Sequence, residues 1–299
     1  DVVPAPTEGI WHPRHGLFTS LAEYRQHLNP DRPTVGITFP RSYWLEHNTA
    51  HIEALVTAVE ELDANTVPFF CLRLPDARRG NPGMAQVLEN LLRDDEGRCV
   101  VDTLVDVHGM SMTAGVPANA DAYPNLGVSV LHALTSYAPR AAWQATAQGM
   151  GSMDVATQAA QPEFDGALIT KLLATREADE VDDLTGAVVP RMVPVPGRAQ
   201  AMAELALSWA RLARTPAGQR KVAIVFHHHP PRNDRIGCAS GLDTFESGRQ
   251  LLIRMADEGY DVPEQFETGD DIAQVLLSCL TCDQRWLTPE QMHERAEAH

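Results

Sequence analysis

The sequence predicts an α/β protein made of two Rossmann-like or flavodoxin-like units, each an open parallel sheet, joined by helical segments. Three observations lead there. Short β-rich apolar runs alternate with amphipathic stretches of about a dozen residues, polar loops follow those runs, and the same order restarts after Pro216 and Gly218. Such alternation builds a parallel sheet covered on both faces, and a sheet of that kind gathers ligands at the carboxyl ends of its strands.

After an N-terminal segment (1–31), RPTVGITF (32–39) reads as the first strand. In NTAHIEALVTAVEELDA (48–64), Ile52, Leu55, Val56, Val59 and Leu62 recur at helical spacing, with Asn48 or Thr49 as the N-cap. TVPFFCL (66–72) is a second strand, MAQVLENLLRD (84–94) a helix, VVDTLVDVHG (100–109) a third strand and VSVLHAL (128–134) a fourth. Ligands are then expected over the loops at 40–48, 73–83, 108–125 and 135–139. A helical stretch (139–161) leads into PEFDG (162–166), which closes a first domain spanning 32–174, and the acidic passage 175–197 reads as a linker or insertion. RAQAMAELALSWARLART (198–215) opens a second domain, 198–299, in which KVAIVF (221–226) is a strand and GLDTFESGRQLLIRMADEGYDV (241–262) contains a helix.

The balance of 40 acidic against 24 basic residues, a net charge of −16, argues against nonspecific attraction to nucleic acid or anionic lipid. No apolar run approaches the roughly 20 residues of a membrane helix, and no signal-peptide pattern opens the chain. Cysteines 71, 99, 238, 279 and 282 form an odd set without zinc-finger spacing, which points to a reducing, cytoplasmic compartment. The C-x-x-C at 279–282 lies in helix-like sequence and reads as packing. RIGCASG has neither dinucleotide-binding spacing nor a P-loop ending, so no nucleotide is expected here. A chain that starts at Asp1 without Met suggests an excised piece of something longer, or a processed chain.

Several motifs in order, GIWHPRHGLFTSLAEYRQHL, RPTVGITFPRSYWLEHNTAHIEALVTAVEE, VDTLVDVHGMSMT, PEFDG, LSWARLAR and KVAIVFHHHPPRNDRIGCASGLDTFES, resemble the large subunit of cobaltochelatase. They are similar, more distantly, to that of magnesium chelatase. The resemblance implies a tetrapyrrole-handling region of a three-component metal chelatase, a ligase that forms nitrogen–metal bonds. It also implies Co²⁺ as the metal substrate, with Mg²⁺ the alternative, and separate AAA+ partner subunits that use ATP. The RNDRIG-x-x-x-GLD form after Pro-Pro favours the cobalt branch. Such large subunits are longer than this chain, so the region is expected to be inactive alone. The competing expectation is a noncatalytic tetrapyrrole, metal or assembly module.

Metal insertion requires ligands that strip water from a dication, a base for the pyrrole protons and a cleft for the macrocycle. Glu163, which matches an acidic position of the resembled family, is the expected metal-delivery or proton-abstracting residue; the alternative is that Glu163 and Asp165 brace their turn. His51, in the first turn of its helix, is expected to stay neutral and to act with Glu163 in catalysis and metal binding. His108, at a strand end, is the third expected metal ligand. Arg41 and Ser42 match the resembled family and, with Asn48, are expected to bind substrate. On an extended chain His227, His228 and His229 cannot all face one site. One or two of the three are expected to face the cleft, with His228 named as a substrate contact, while Arg232 and Arg235 suit the macrocycle's carboxylates or amides.

Overall fold

The computed structural model describes residues 5–297. Residues up to Arg214 form one compact unit and those from Thr215 a second. The first contains β1 (Gly9–His12), β2 (Gly16–Phe18), α1 (Leu21–Tyr24), β3 (Thr34–Pro40), α2 (Arg41–Leu45), α3 (Ala50–Glu61), β4 (Asn65–Cys71), α4 (Met84–Leu92) and β5 (Thr103–Asp106). It continues through α5 (Ala122–Leu126), β6 (Ser129–Ser136), α6 (Arg140–Ala145), α7 (Ser152–Val155), α8 (Gln161–Phe164), β7 (Leu168–Val181), β8 (Val188–Pro194) and α9 (Arg198–Arg214).

All eight strands form one open sheet, ordered β2-β1-β4-β3-β5-β6-β7-β8. From β4 to β7 the neighbours are parallel; β1 pairs antiparallel with β2 and β4, and β8 pairs antiparallel with β7. The chain steps from β3 to β4, then crosses to the other side of β3 to lay down β5, β6 and β7 in turn. That reversal creates a switch point at the carboxyl ends of β3 and β5, the flavodoxin-like arrangement in which ligands bind.

Periodicity explains the two layers of helices. Ile52, Leu55, Val56 and Val59 of α3 form a buried stripe, as do Met84, Val87, Leu88, Leu91 and Leu92 of α4. The α3 stripe joins Ile37, Phe39 and Val105 of the sheet, together with Met202, Ala203, Ala206 and Leu207 of α9. The α4 stripe packs with Val67, Phe69 and Leu104 in a separate core that includes α1 and α5 residues. Small alanines let α9 lie close to the sheet. Burying each large apolar side chain contributes about 1.5–3 kcal/mol, so α9 is held by the first unit rather than opening a second sheet.

Two sequence expectations change here. The acidic passage 175–197 is not a linker: it supplies the end of β7 and all of β8, a hairpin at the sheet edge, where exposed charges such as Arg176 and Asp183 remain in water. The second unit contains α10 (Thr244–Asp257), α11 (Gly269–Ser278) and α12 (Pro289–Glu297), with only isolated bridges such as His228–Ile236. KVAIVF is extended sequence without a ladder, because no other strand among the described residues of this unit offers an edge; Val225 is 90% exposed. The helical part is tightly built. A Cβ on Gly269 would lie 2.5 Å from the Glu246 backbone nitrogen, so α11 can start against α10 only with glycine there. A capping box between Thr268 and Asp271 begins α11.

Candidate functional site

A cleft of about 420 Å³ opens at the carboxyl ends of the parallel strands, over the switch point. Its walls come from the segments after β3 (Arg41, Ser42, Tyr43), at and after β4 (Cys71, Arg73) and after β5 (His108, Gly109, Met110 and Met112), completed by Tyr137, Arg176 and Met192. Arg41 is tied down by Nε–H donation to the Pro6 carbonyl at 2.6 Å and Nη2–H donation to the Ala5 carbonyl at 2.9 Å. Asn48 Oδ1 accepts from the Met192 backbone N–H at 2.8 Å, which joins the α2–α3 turn to β8. Burial, with the Tyr137 phenol next to it, pushes the Tyr43 hydroxyl up to about 12, so it remains a hydrogen-bond donor.

Beneath this wall lies a saturated carboxylate. Asp106 Oδ1 accepts from the His108 backbone N–H at 2.9 Å and pairs with His108 Nδ1 at 2.7 Å. Its Oδ2 accepts from the Tyr123 hydroxyl at 2.9 Å and lies 3.3 Å from His132 Nδ1. Burial alone would raise the Asp106 carboxyl; the His108 and His132 contacts outweigh it and hold the group ionised. Burial likewise disfavours the His108 cation, but the Asp106 charge and hydrogen bond overcome it and lift His108 to about 10. With Nδ1 committed to Asp106, the other ring nitrogen, Nε2, faces Cys71 Sγ at 3.9 Å.

The loop that carries Met110 and Met112 is braced from below. Asp165, 5% exposed, accepts from Ser111 Oγ at 2.6 Å, the Met112 N–H at 2.7 Å and the Thr113 hydroxyl. Asn119 Nδ2 donates to the Arg73 and Met112 carbonyls, linking the β4 and β5 loops. At Gly109 a Cβ would sit 2.9 Å from the Tyr137 hydroxyl, so glycine is what allows that ring into the wall.

Of the residues singled out from sequence, Arg41, Ser42, Asn48 and His108 line the cleft, whereas His51 and Glu163 do not. His51 is 0% exposed and packs edge-on against Tyr43 at 4.8 Å; neither ring nitrogen has a partner. Burial lowers it to about 3, so it is neutral as expected, but it is sealed behind the wall rather than available as a ligand. Glu163 is exposed on α8, and the bracing belongs to Asp165. The expected His51–Glu163–His108 ligand set is therefore not assembled; among the described residues no group of three His, Cys, Asp or Glu converges as a metal cage would.

In the second unit the three histidines split as strand geometry requires. The His227 and His229 rings are 6.1 Å apart, while His228 Nε2–H donates to the Arg232 carbonyl at 2.8 Å. His228 lines an apolar groove with Cys279 and Cys282; Arg232 is folded onto Asp234 at 2.7 Å, and Arg235 is exposed. Sequence reading missed Tyr43, Glu46, Cys71, Arg73, Tyr137 and Arg176, all of which line the first cleft. Strand ends carried the signal: Cys71 is the last residue of β4.

Comparison with known proteins agrees with this architecture. The chain is 29% identical to the aerobic cobaltochelatase subunit CobN of a Sinorhizobium species over 92% of its length, and 28% identical to a magnesium-chelatase subunit of Rhodobacter capsulatus over 91%. It spans 22% and 23% of those relatives. The catalytic subunit of cobaltochelatase from Mycobacterium tuberculosis superposes with a TM-score of 0.69 at 28% identity, covering 93% of this chain and 22% of that one. The CobN/Magnesium Chelatase family model matches residues 1–299, and the chain therefore belongs to that family.

Proposed function

We propose that this chain is the region of a chelatase large subunit that holds part of a tetrapyrrole and passes it a divalent metal, with cobalt insertion into a corrin precursor for cobalamin synthesis as the reaction served. The observation that supports it is the cleft itself: three arginines, Arg41, Arg73 and Arg176, stand around tyrosine and methionine walls at the sheet's switch point. Guanidinium groups suit the carboxylates of a macrocycle rim, and flat apolar walls suit its face. Ser42 and Asn48 supply polar contacts for the rim, and His108 faces the metal. Glu46 takes the place expected of Glu163 as the carboxylate within reach of the cleft, where it would accept pyrrole protons. His228, Arg232 and Arg235 form a separate proposed contact on the second unit.

Metal insertion would draw on ATP hydrolysed by AAA+ partner subunits, as the resemblance to the chelatase large subunits implies. Among the described residues no helix is long and apolar enough to cross a membrane. The five cysteines are free thiols, as a reducing, cytoplasmic compartment would keep them. Magnesium insertion into a porphyrin is the second reading, supported by comparable identity to the magnesium-chelatase relative.

The test is a fluorescence titration of the purified chain with a hydrogenobyrinic acid diamide analogue and with protoporphyrin, repeated on Arg41→Ala and Glu163→Gln. Saturable binding weakened at least tenfold by Arg41→Ala and unchanged by Glu163→Gln is the expected result. Loss of affinity in Glu163→Gln with Arg41→Ala unaffected would move the site away from this cleft.

A further inference from the structure

We propose that Cys71 Sγ and His108 Nε2 form a two-donor landing site for a borderline-soft divalent cation, which the cleft then yields to the macrocycle; this rests on the chelatase reading above. Both side chains line the cleft, Cys71 as the last residue of β4 and His108 just past the end of β5, the two strands that flank β3. Their donor atoms are 3.9 Å apart. With metal–sulfur and metal–nitrogen bonds of about 2.3 and 2.1 Å, a tetrahedral angle puts the two donors roughly 3.6 Å apart, so the pair needs to close by only a few tenths of an ångström.

The surroundings are those of a metal-binding imidazole. Nδ1 of His108 is engaged by Asp106 at 2.7 Å, which fixes the ring and directs Nε2 into the cleft, as carboxylate–histidine–metal arrangements require. The thiol has no disulfide partner, and its other polar neighbour is Thr38 Oγ1 at 3.9 Å. Binding displaces the protons on Sγ and Nε2 to the buffer and forms one metal–sulfur and one metal–nitrogen bond.

Two protein donors leave further positions for water and for incoming pyrrole nitrogens, the open coordination of a site that transfers its ion rather than storing it. Donor softness decides which ion. Thiolate with imidazole suits Co²⁺ or Zn²⁺, whereas Mg²⁺ requires oxygen donors. The same pair therefore favours the cobalt branch over the magnesium branch on ligand chemistry, independently of sequence identity.

The experiment is a Co²⁺ titration of the reduced chain, read as near-ultraviolet sulfur-to-cobalt charge-transfer absorption. A Cys279→Ser/Cys282→Ser double variant serves as the background, because that C-x-x-C is a rival thiol source. Charge-transfer absorption retained in the background, lost on adding Cys71→Ser, and accompanied by at least tenfold weaker Co²⁺ binding is the expected result. Zn²⁺ should displace the cobalt and a hundredfold excess of Mg²⁺ should not. His108→Gln, which keeps the thiol, should weaken binding by a similar factor. Cobalt K-edge absorption on the background chain needs no change at the site and should show one sulfur at about 2.3 Å with an imidazole. Absorption that survives Cys71→Ser, or displacement by Mg²⁺ as readily as by Zn²⁺, overturns the proposal. Saturable macrocycle binding without any cobalt–sulfur signal would end this inference and leave the tetrapyrrole reading standing; absence of both would end both.

Discussion

His51 offers the most direct test of how the cleft wall is built. Its ring is 0% exposed, both nitrogens lack partners, and its ordinary protonation is suppressed to about 3. Replacing it by leucine removes two buried polar atoms, each costing about 1–3 kcal/mol when unsatisfied, and loses an edge-on ring contact with Tyr43 of about 0.5–1.5 kcal/mol. At pH 7 the His51→Leu chain should thus be more stable than wild type by about 1 kcal/mol or more. The pH dependence follows from linkage. The unfolded histidine binds a proton near its ordinary value while the folded one does not, so wild-type stability falls as pH drops from about 6.5 toward 3. Between pH 7 and pH 5 the variant should gain about 2 kcal/mol over wild type. Urea denaturation at both pH values, followed by tryptophan fluorescence with Trp286→Phe in both chains so that the first unit is read, supplies the numbers. A variant less stable at pH 7 by more than about 1 kcal/mol, or a difference that does not grow toward pH 5, would refute the buried, unpartnered state and restore His51 as a ligand.

Asp165→Ala should remove the brace under residues 111–113, costing about 2–4 kcal/mol and raising amide exchange in that loop, measured by hydrogen–deuterium exchange. Gly109→Ala places a Cβ 2.9 Å from the Tyr137 hydroxyl; displacement of that ring should lower macrocycle affinity by more than it lowers stability, compared by titration and thermal unfolding. Arg176→Ala, an exposed position, should leave the melting temperature nearly unchanged yet weaken binding of a carboxylate-bearing macrocycle about tenfold, an effect that shrinks in high salt. Gly269→Ala meets the Glu246 backbone at 2.5 Å and should destabilise the second unit by more than about 2 kcal/mol, while the first unit's urea midpoint stays put.

What the sequence made legible was local. The stripes of α3 and α4 and the buried runs of β3, β4 and β5 show directly as periodicity, because burial on one face or on both leaves its mark within a dozen residues. Pairing leaves no such mark. TREADEV reads as a linker by charge, yet an edge hairpin is where a strand can carry charged residues beside water. KVAIVF has every local feature of a strand and no ladder, since a strand also requires a neighbour that local pattern cannot supply. Glu163 and Asp165 lie two residues apart in one motif; which one turns inward depends on the loop at 111–113, more than fifty residues away in the chain.

The chemistry of the cleft is ordered by depth. Arg41, Arg73 and Arg176 belong to the walls, where strongly hydrated carboxylates can be met without full loss of water. Tyr43, Tyr137 and the methionines give adaptable apolar surface for a flat ring. Cys71 and His108, 2% and 5% exposed, are buried members of the lining, and His108 is paired with the buried Asp106. A dication held by oxygen ligands alone would be matched by several free carboxylates at that depth, but Asp106 is fully committed to His108, Tyr123 and His132. Its charge orients the His108 imidazole, and in the proposed landing site nitrogen and sulfur would be the atoms presented to an incoming metal. On the proposed reading, such a pair would hold a cation loosely beneath a macrocycle held by its rim, and a nitrogen-rich ring would be the stronger ligand of the two.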